Sequence, residues 1–479
     1  AAGAGRGRRR EEMTAPARRA ALALSALLAL ALAPACASPR PYDKPQLPAP
    51  QMWDIADGWK PAAPSDRIPR GTWWTIFKDD ALTALEAQAV SSNATLAGAA
   101  ARFRQARALT QQALAPTLPS IDATAGLTES RTSTASGVTT TGPTISLLPS
   151  ASYEMDLFGK RLANIDAARA GETGAEDDLE NVRLAITSDL AANYFTLRRL
   201  DAEIGVVTES IALLEKQLAL IRARHDGGLV SGLDLAQQQT VLETTRTQLA
   251  LLRDQRSGLE HAIAVLAGQP AAGFRVAAAQ MTRTVPPVAL ETPSELLERR
   301  PDIASAERAV AVANAKVGIA RSAFFPSLVL ATSGGLKASA FSKILDAPSW
   351  IWSLGAAAAQ NLFDNGAKQA RQQFADAGYD AAVADYRAVT LKAFREVQDA
   401  LSTLGAVDQA RASQAAAVAA AERALAIATS RYNAGASSAL DLVSSQQAVL
   451  TARRTAVQLD GSRLTTTVAL IKALGGGWQ

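Results

Sequence analysis

"RHDGGLVSGLDLAQQQ", residues Arg224 to Gln239, recurs in altered spelling as "RYNAGASSALDLVSSQ", residues Arg431 to Gln446. One constant displacement of 207 positions links Arg224 with Arg431, Gly228 with Gly435, Ser231 with Ser438, Leu233 with Leu440, Asp234 with Asp441 and Gln239 with Gln446. About one or two such matches would arise by chance in a window of this size. The phrase itself has a physical reading. Gly228 and Gly435 stand where a long helix stops and a residue with φ > 0 is wanted. Ser231 with Asp234, and Ser438 with Asp441, have the spacing of a capping box that starts a new helix. The stretch therefore predicts a hairpin tip between two long helices, present twice.

Working outward, residues 161–225 contain no proline, and Leu197, Leu200, Ile204, Val207, Ile211, Leu214, Leu218 and Ile221 form an apolar seam in strict 3-4 spacing. Beyond the tip a second 3-4 seam runs Leu235, Gln238, Leu242, Thr245, Leu249, Leu252, Arg256, Leu259, Ile263 and Leu266, so the two helices are expected to pair antiparallel. Residues 404–428 and 442–473 repeat both with more alanine, which permits close helix approach. Upstream, "WWTIFKDDALTALEAQAV" places Trp73, Phe77, Leu82 and Leu85 on a helical spacing, and "LAGAAARFRQARALTQQAL" continues as a second helix to Pro116. "TPSELLERRPDIASAERAVAVANAKVGIARSAF" repeats that pair, with Pro301 opening its longer helix.

Four segments in between alternate polar and apolar residues: "LPSIDATAGL", "TISLLPSASYEMDLFG", "FPSLVLATSGG" and "SWIWSLGAAAAQNLFDNG". Each has about the length of a tilted membrane-spanning strand. "TESRTSTASGVTTTG" and "KASAFSKILDAPS", between the strands of each pair, read as loops. Four strands cannot close a barrel, but three chains supply twelve. Glu154 and Asp156, on a polar strand face, are expected to line a lumen or be solvated rather than to form a catalytic pair.

The formal charge of +4 leaves no nucleic-acid footprint, and a single cysteine excludes an internal disulfide. Two histidines, His225 and His261, supply little for a metal centre or for His-centred catalysis, so neither a cofactor nor an enzymatic activity is expected. "MTAPARRAALALSALLALALAPACAS" has the basic region, short apolar run and small residues of an export signal, and Cys36 stands where a lipoprotein signal carries its acylated residue. Residues 1–35 are thus read as leader and signal, 36–70 as a Pro-rich arm, 71–270 and 292–479 as two structural repeats, and 271–291 as their linker.

The order of "WWTIFKD", "LLERRPDI", the strand ends "DLFG" and "NLFDNG", and both tips resembles the TolC-type outer-membrane efflux channels, in particular their lipidated members from multidrug pumps. The resemblance covers the chain from Cys36 onward. It implies a mainly α fold with a small β part: a homotrimer whose twelve-stranded β-barrel sits in the outer membrane and whose α-barrel of coiled-coil hairpins spans the periplasm. It further implies the exit duct of a tripartite pump, partnered by a periplasmic adaptor, an inner-membrane pump and outer-membrane lipids. Asp441 matches the first of the family's two gate acids while the second position is Ser444, and Asp234 is expected to supply a substitute from the other hairpin. Adaptor docking is expected at Arg224, Gly228, Ser231, Leu233, Arg431, Gly435, Ser438 and Leu440. Other readings of the same sequence are a protein-secretion or metal-ion exit duct, or a non-channel periplasmic coiled-coil lipoprotein.

Overall fold

The computed structural model describes residues 41–45, 70–133, 135, 137, 139–282 and 299–476. Cys36, the leader and signal segment, most of the Pro-rich arm, part of the linker and residues 292–298, where the shorter helix of the repeated pair is expected, lie outside the described residues. The chain divides into two compact units. Among the described residues, one gathers 106–172 and 308–383 with 41–45; the other gathers 70–105, 173–282, 299–307 and 384–476.

Helices dominate: α1 Asp80–Ser92, α2 Ala94–Leu114, α3 Lys160–Asp226, α4 Gly232–Leu266, α5 Pro301–Ser322, α6 Ala367–Asn433 and α7 Ala439–Ala473. At ~1.5 Å per residue, the 67-residue α3 and α6 are each roughly 100 Å long. The strands are β1 Ser120–Ser133, β2 Thr139–Met155, β3 Ser327–Ala338 and β4 Trp350–Ala359. Two boundaries differ from the sequence reading. Trp73 and Phe77 belong to a 3₁₀ segment, Arg70–Phe77, and not to the helix that holds Leu82. The break falls at Lys78, whose φ is 52°, and at Asp79, whose carboxylate caps α1 by accepting from the Leu82 N–H at 3.0 Å. The stretch read as a loop after β1 is also mostly strand, because Thr128 pairs with Thr144 and Thr132 with Thr140.

In the first unit the four strands form one antiparallel sheet in the order β1-β2-β3-β4. Its register sorts the alternation onto common faces. Ser120 lies opposite Ser152, Asp122 opposite Ser150, Ser150 opposite Ser333, and Ser333 opposite Ser353. The other face carries Ile121, Leu127, Leu147, Tyr153, Leu330, Leu336, Trp350, Trp352 and Leu354. Trp350, Trp352 and Leu354 are among its most exposed side chains. β1 and β4 each have a strand neighbour on one side within this chain, so two edges of backbone donors and acceptors stay open.

In the second unit the two seams are buried as their spacing predicts. Leu200, Val207, Ile211 and Leu214 of α3 pack with Val241, Leu242 and Leu252 of α4, and Val443 of α7 joins the same cluster. Near the open ends of the hairpins, Trp73 donates to Thr187 Oγ1 at 3.1 Å, and Tyr194 donates its hydroxyl to Asp79 at 2.8 Å. Burial pushes the Tyr194 phenol up to about 12.

The duplication extends to helix ends. Asn93 Nδ2 donates to the Leu266 carbonyl of α4 at 2.8 Å, and Arg300, 207 positions on, donates to the Ala473 carbonyl of α7 at 2.9 Å. Different side chains thus satisfy the same orphan carbonyl of a last helical turn. Gly268 and Gly475 follow those turns at φ of 70° and 89°. A Cβ on Gly268 would run into the Ser92 carbonyl, and one on Gly475 would press on that of Arg299.

Candidate functional site: the paired hairpin tips and the sheet

Each tip is built as a helix stop followed by a helix start. At the first, Gly228 adopts φ 72° and the Leu229 N–H donates back to the Arg224 carbonyl at 2.8 Å. At the second, Gly435 adopts φ 74° and the Ala436 N–H reaches the Arg431 carbonyl at 2.9 Å. These are the left-handed C-terminal caps for which glycine is suited. Ser231 and Ser438 then N-cap α4 and α7, each hydroxyl accepting from the backbone N–H of Asp234 or Asp441 at 3.2 Å. The aspartates complete the boxes, Asp234 Oδ2 accepting from Ser231 N at 3.1 Å and Asp441 Oδ2 from Ser438 N at 3.2 Å.

The two tips are not equivalent. Asp441 Oδ2 also accepts from the Ser437 hydroxyl at 2.9 Å, whereas the matching position in the first tip is Val230, which turns into an apolar cluster. The Ser437 and Ser438 hydrogen bonds, with the charge of Arg431, hold the Asp441 carboxyl below the usual carboxylate range. Arg431 itself folds back onto its own tip, 3.4 Å from the Ala436 carbonyl. Arg224 instead reaches the other hairpin: its guanidinium lies 5.1 Å from the Tyr432 ring centroid and 3.5 Å from the Tyr432 carbonyl. Beneath it, Ile221, Ala428, Tyr432, Ala439 and Leu442 form a common apolar cluster. The structure therefore brings Arg224 together with the second tip and commits both aspartates to capping.

Leu233 and Leu440 are exposed, as is Leu229. Tyr432 was not singled out by the sequence reading, although the mismatch of His225 with Tyr432 inside an otherwise matched phrase marked it. Asp156 is a helix cap, its two oxygens accepting from the Arg161 and Leu162 N–H groups at 3.1 and 2.9 Å, and Glu154 pairs with Lys160 at 3.1 Å. The two carboxylates are thus individually occupied.

Deeper in the hairpins, charged side chains weld one helix to another. Glu203, 1% exposed, receives Arg199 from α3 at 3.0 Å and Arg454 from α7 at 2.7 Å. Arg256, in the seam of α4, pairs with Asp201 at 2.6 Å and with Glu260 at 2.8 Å. The Asp201–Arg256 pair recurs 207 positions on as Asp408–Arg463, at 2.8 Å. Glu86 of α1 is fully buried with no hydrogen-bond partner among the described residues, and burial pushes its carboxyl up to about 9, so it is neutral at pH 7.

A sheet with one apolar and one polar face, open at both edges, carried on a chain with two long helical hairpins, is the construction of an outer-membrane channel-tunnel. The chain belongs to the outer membrane efflux protein family, whose model matches residues 85–269 and again 292–476. The two matches are themselves displaced by 207 positions. The pyoverdine export outer membrane protein OpmQ of Pseudomonas aeruginosa is 33% identical over 455 residues, 93% of this chain and 94% of that one. The cation efflux system protein CusC of Escherichia coli is 28% identical over 451 residues, 93% of this chain and 96% of that one. Among solved structures, the outer-membrane channel OprN is similar with a TM-score of 0.86 and 26% identity, covering 92% of this chain and 100% of its own. The protein is thus an outer-membrane efflux channel component with a channel-tunnel fold, and its relatives are channel proteins rather than enzymes.

Proposed function

We propose that three copies of this chain form the exit duct of a tripartite pump that carries small molecules to the outside, and that the hairpin tips close its periplasmic end. The observation that carries the reading is the sheet. Four antiparallel strands of 10 to 17 residues carry an apolar face of exposed tryptophan and leucine and two unpaired edges. In a bilayer both edges must be closed, and three copies give a twelve-stranded barrel with the polar face inward. The long hairpins then form an α-barrel, with six tips at its far end. Exposed Leu233 and Leu440 on those tips suit an apolar contact with an adaptor, and such a partner would in turn join the inner-membrane pump.

Within this reading Asp234 and Asp441 serve twice, as caps and as a cluster of negative charge at the tunnel mouth. Cys36 is acylated and anchors the N-terminus in outer-membrane lipid. The expected native mass in detergent is that of three chains, with cation-preferring conductance in planar bilayers and a diacylated mature N-terminus beginning at Cys36. A monomer without channel activity sinks the trimer. An unmodified N-terminus removes the anchor and leaves the barrel standing.

A further inference from the structure

The first unit contains a recess of about 540 Å³ where the strands meet the helices, within the size range of small-molecule sites. Three of the strand residues that reach into it, Glu154, Ser327 and Ala359, belong to the polar face of the sheet, and Met155 is the fourth. Its charges do not balance. Lys160, Lys316, Lys368 and Arg371 line it against two carboxylates, Glu154 and Asp156. Glu154 is spent on Lys160, and Asp156 on the N–H groups that open α3. The Lys368 ammonium donates to the Asn361 carbonyl and forms no ion pair among the described residues, while the Asp364 carboxylate accepts from the Lys368 backbone N–H at 3.0 Å. Lys316 and Arg371 form no ion pair among the described residues.

The walls between these cations are aromatic. Phe158 and Phe325 stack at 4.8 Å with their planes 12° apart. Phe374 stands one turn from Arg371 on α6 and lines the recess, so a guanidinium and an aromatic ring share one helix face over it. An apolar body could cover that ring while an anionic group meets Lys316 and Arg371.

We infer that this recess is a binding station for an organic anion with a flat apolar body, reached from the lumen. The inference rests on the channel reading for its access route, since it takes the polar face of the sheet as the inner face. The occupant is defined by its chemistry: a carboxylate, sulfonate or phosphate on an aromatic or similarly flat frame. A transported anion held there would be concentrated at the entrance of the barrel, and its affinity would fall with salt because Lys316 and Arg371 are solvent-exposed.

The test uses 1-naphthalenesulfonate as the probe, with methanesulfonate and 1-naphthylmethylammonium as controls for the ring and for the charge. Binding is followed by probe fluorescence on the full-length protein in detergent, and separately by block of current through the reconstituted channel. The K316Q/R371Q double variant is expected to weaken naphthalenesulfonate binding roughly tenfold. F374A is expected to abolish the preference for naphthalenesulfonate over methanesulfonate, and K316R/R371K to restore binding. Unchanged affinity in K316Q/R371Q, or equal binding of the naphthyl ammonium, overturns the inference. Failure to form channels while the fluorescence pattern holds counts against the exit-duct reading and leaves the binding site intact. Circular dichroism of each variant checks that the fold is retained, and the charge-conserving pair keeps the test valid if the glutamine pair unfolds.

Discussion

On the proposed reading that the tips close the tunnel, Arg224→Gln is predicted to loosen them, and the distances set the size of the effect. The guanidinium lies 5.1 Å from the Tyr432 ring, a partly solvated cation–π contact worth about 0.5 to 1 kcal/mol. Its hydrogen bond to the Tyr432 carbonyl, at 3.5 Å, is at the outer limit of the geometry and adds no more than about 0.5 kcal/mol. Loss of both therefore shifts the closed-to-open balance of one chain by about 0.5 to 1.5 kcal/mol, roughly two- to twelvefold. If three chains open in concert, the effects multiply to about one to three powers of ten. The assay is single-channel recording in planar bilayers, reading open probability. Tyr432→Phe is the internal control. The Tyr432 hydroxyl is buried without a partner among the described residues, so its removal keeps the ring and the carbonyl and is expected to be neutral. An Arg224→Gln channel with wild-type open probability, or a Tyr432→Phe channel as disturbed as Arg224→Gln, refutes the assignment of this contact as the latch.

Three further outcomes follow from the same geometry. Gly228→Ala should cost about 1 kcal/mol, since φ is 72° but no neighbour lies within 4 Å; Gly268→Ala, at φ 70° and against the Ser92 carbonyl, should cost at least ~2 kcal/mol more, both read from thermal unfolding. Glu203→Gln removes the negative charge shared by Arg199 and Arg454 and should destabilise by about 3 kcal/mol, with non-additivity against Arg454→Met in a double-mutant cycle. Asp441 has its carboxyl held below the usual range, so its contribution is present above the unfolded carboxylate pKa and is lost as pH falls through the lower folded value. The difference in melting temperature between wild type and Asp441→Asn should accordingly be present at pH 7 and shrink below about pH 4, and a difference that grows on acidification would contradict the cap.

The parts of the fold visible in the sequence are those fixed by local periodicity or by the repeat. The seams, the tips and the helix start at Pro301 need nothing beyond neighbouring residues and the constant offset. The β1–β2 hairpin was misjudged at its far end because Ser, Thr and Gly are turn-rich by composition. There the backbone pairing continues through Thr128, Thr132 and Thr140, and β-branched threonine is well suited to a pleated surface. The contacts that join hairpin to hairpin had no local signal. Glu203 and Arg454 are 251 residues apart, and 207 positions from Glu203 stands Ala410, so the repeat gives no hint of that pair. Asp201 and Arg256 could have been found, because both recur at the offset as Asp408 and Arg463.

The contacts between the two hairpins are graded along their length, and the grading says where motion is allowed. At the tip the polar bridge is Arg224 to Tyr432, long and partly solvated, above the apolar cluster of Ile221, Ala428, Tyr432, Ala439 and Leu442. At Glu203, 21 residues earlier on α3 and so about 30 Å away, the bridge is a nearly fully buried carboxylate between two arginines. Between them, Gln238 of α4 and Gln446 of α7 are buried with no hydrogen-bond partner for either amide among the described residues, a weaker arrangement than a paired one. Opening that begins at the tip thus parts the Arg224–Tyr432 contact and the small apolar cluster beneath it, then meets an interface short of hydrogen bonds, and finally a charge cluster that costs several kcal/mol to part. A pivot near Glu203 is the consequence, with the remaining length of the hairpins held. Hydrogen exchange should therefore be fast in residues 221–238 and 428–446 and slow around 199–207 and 454–464. Uniform protection along α3 would show that the hairpins open as rigid rods or not at all.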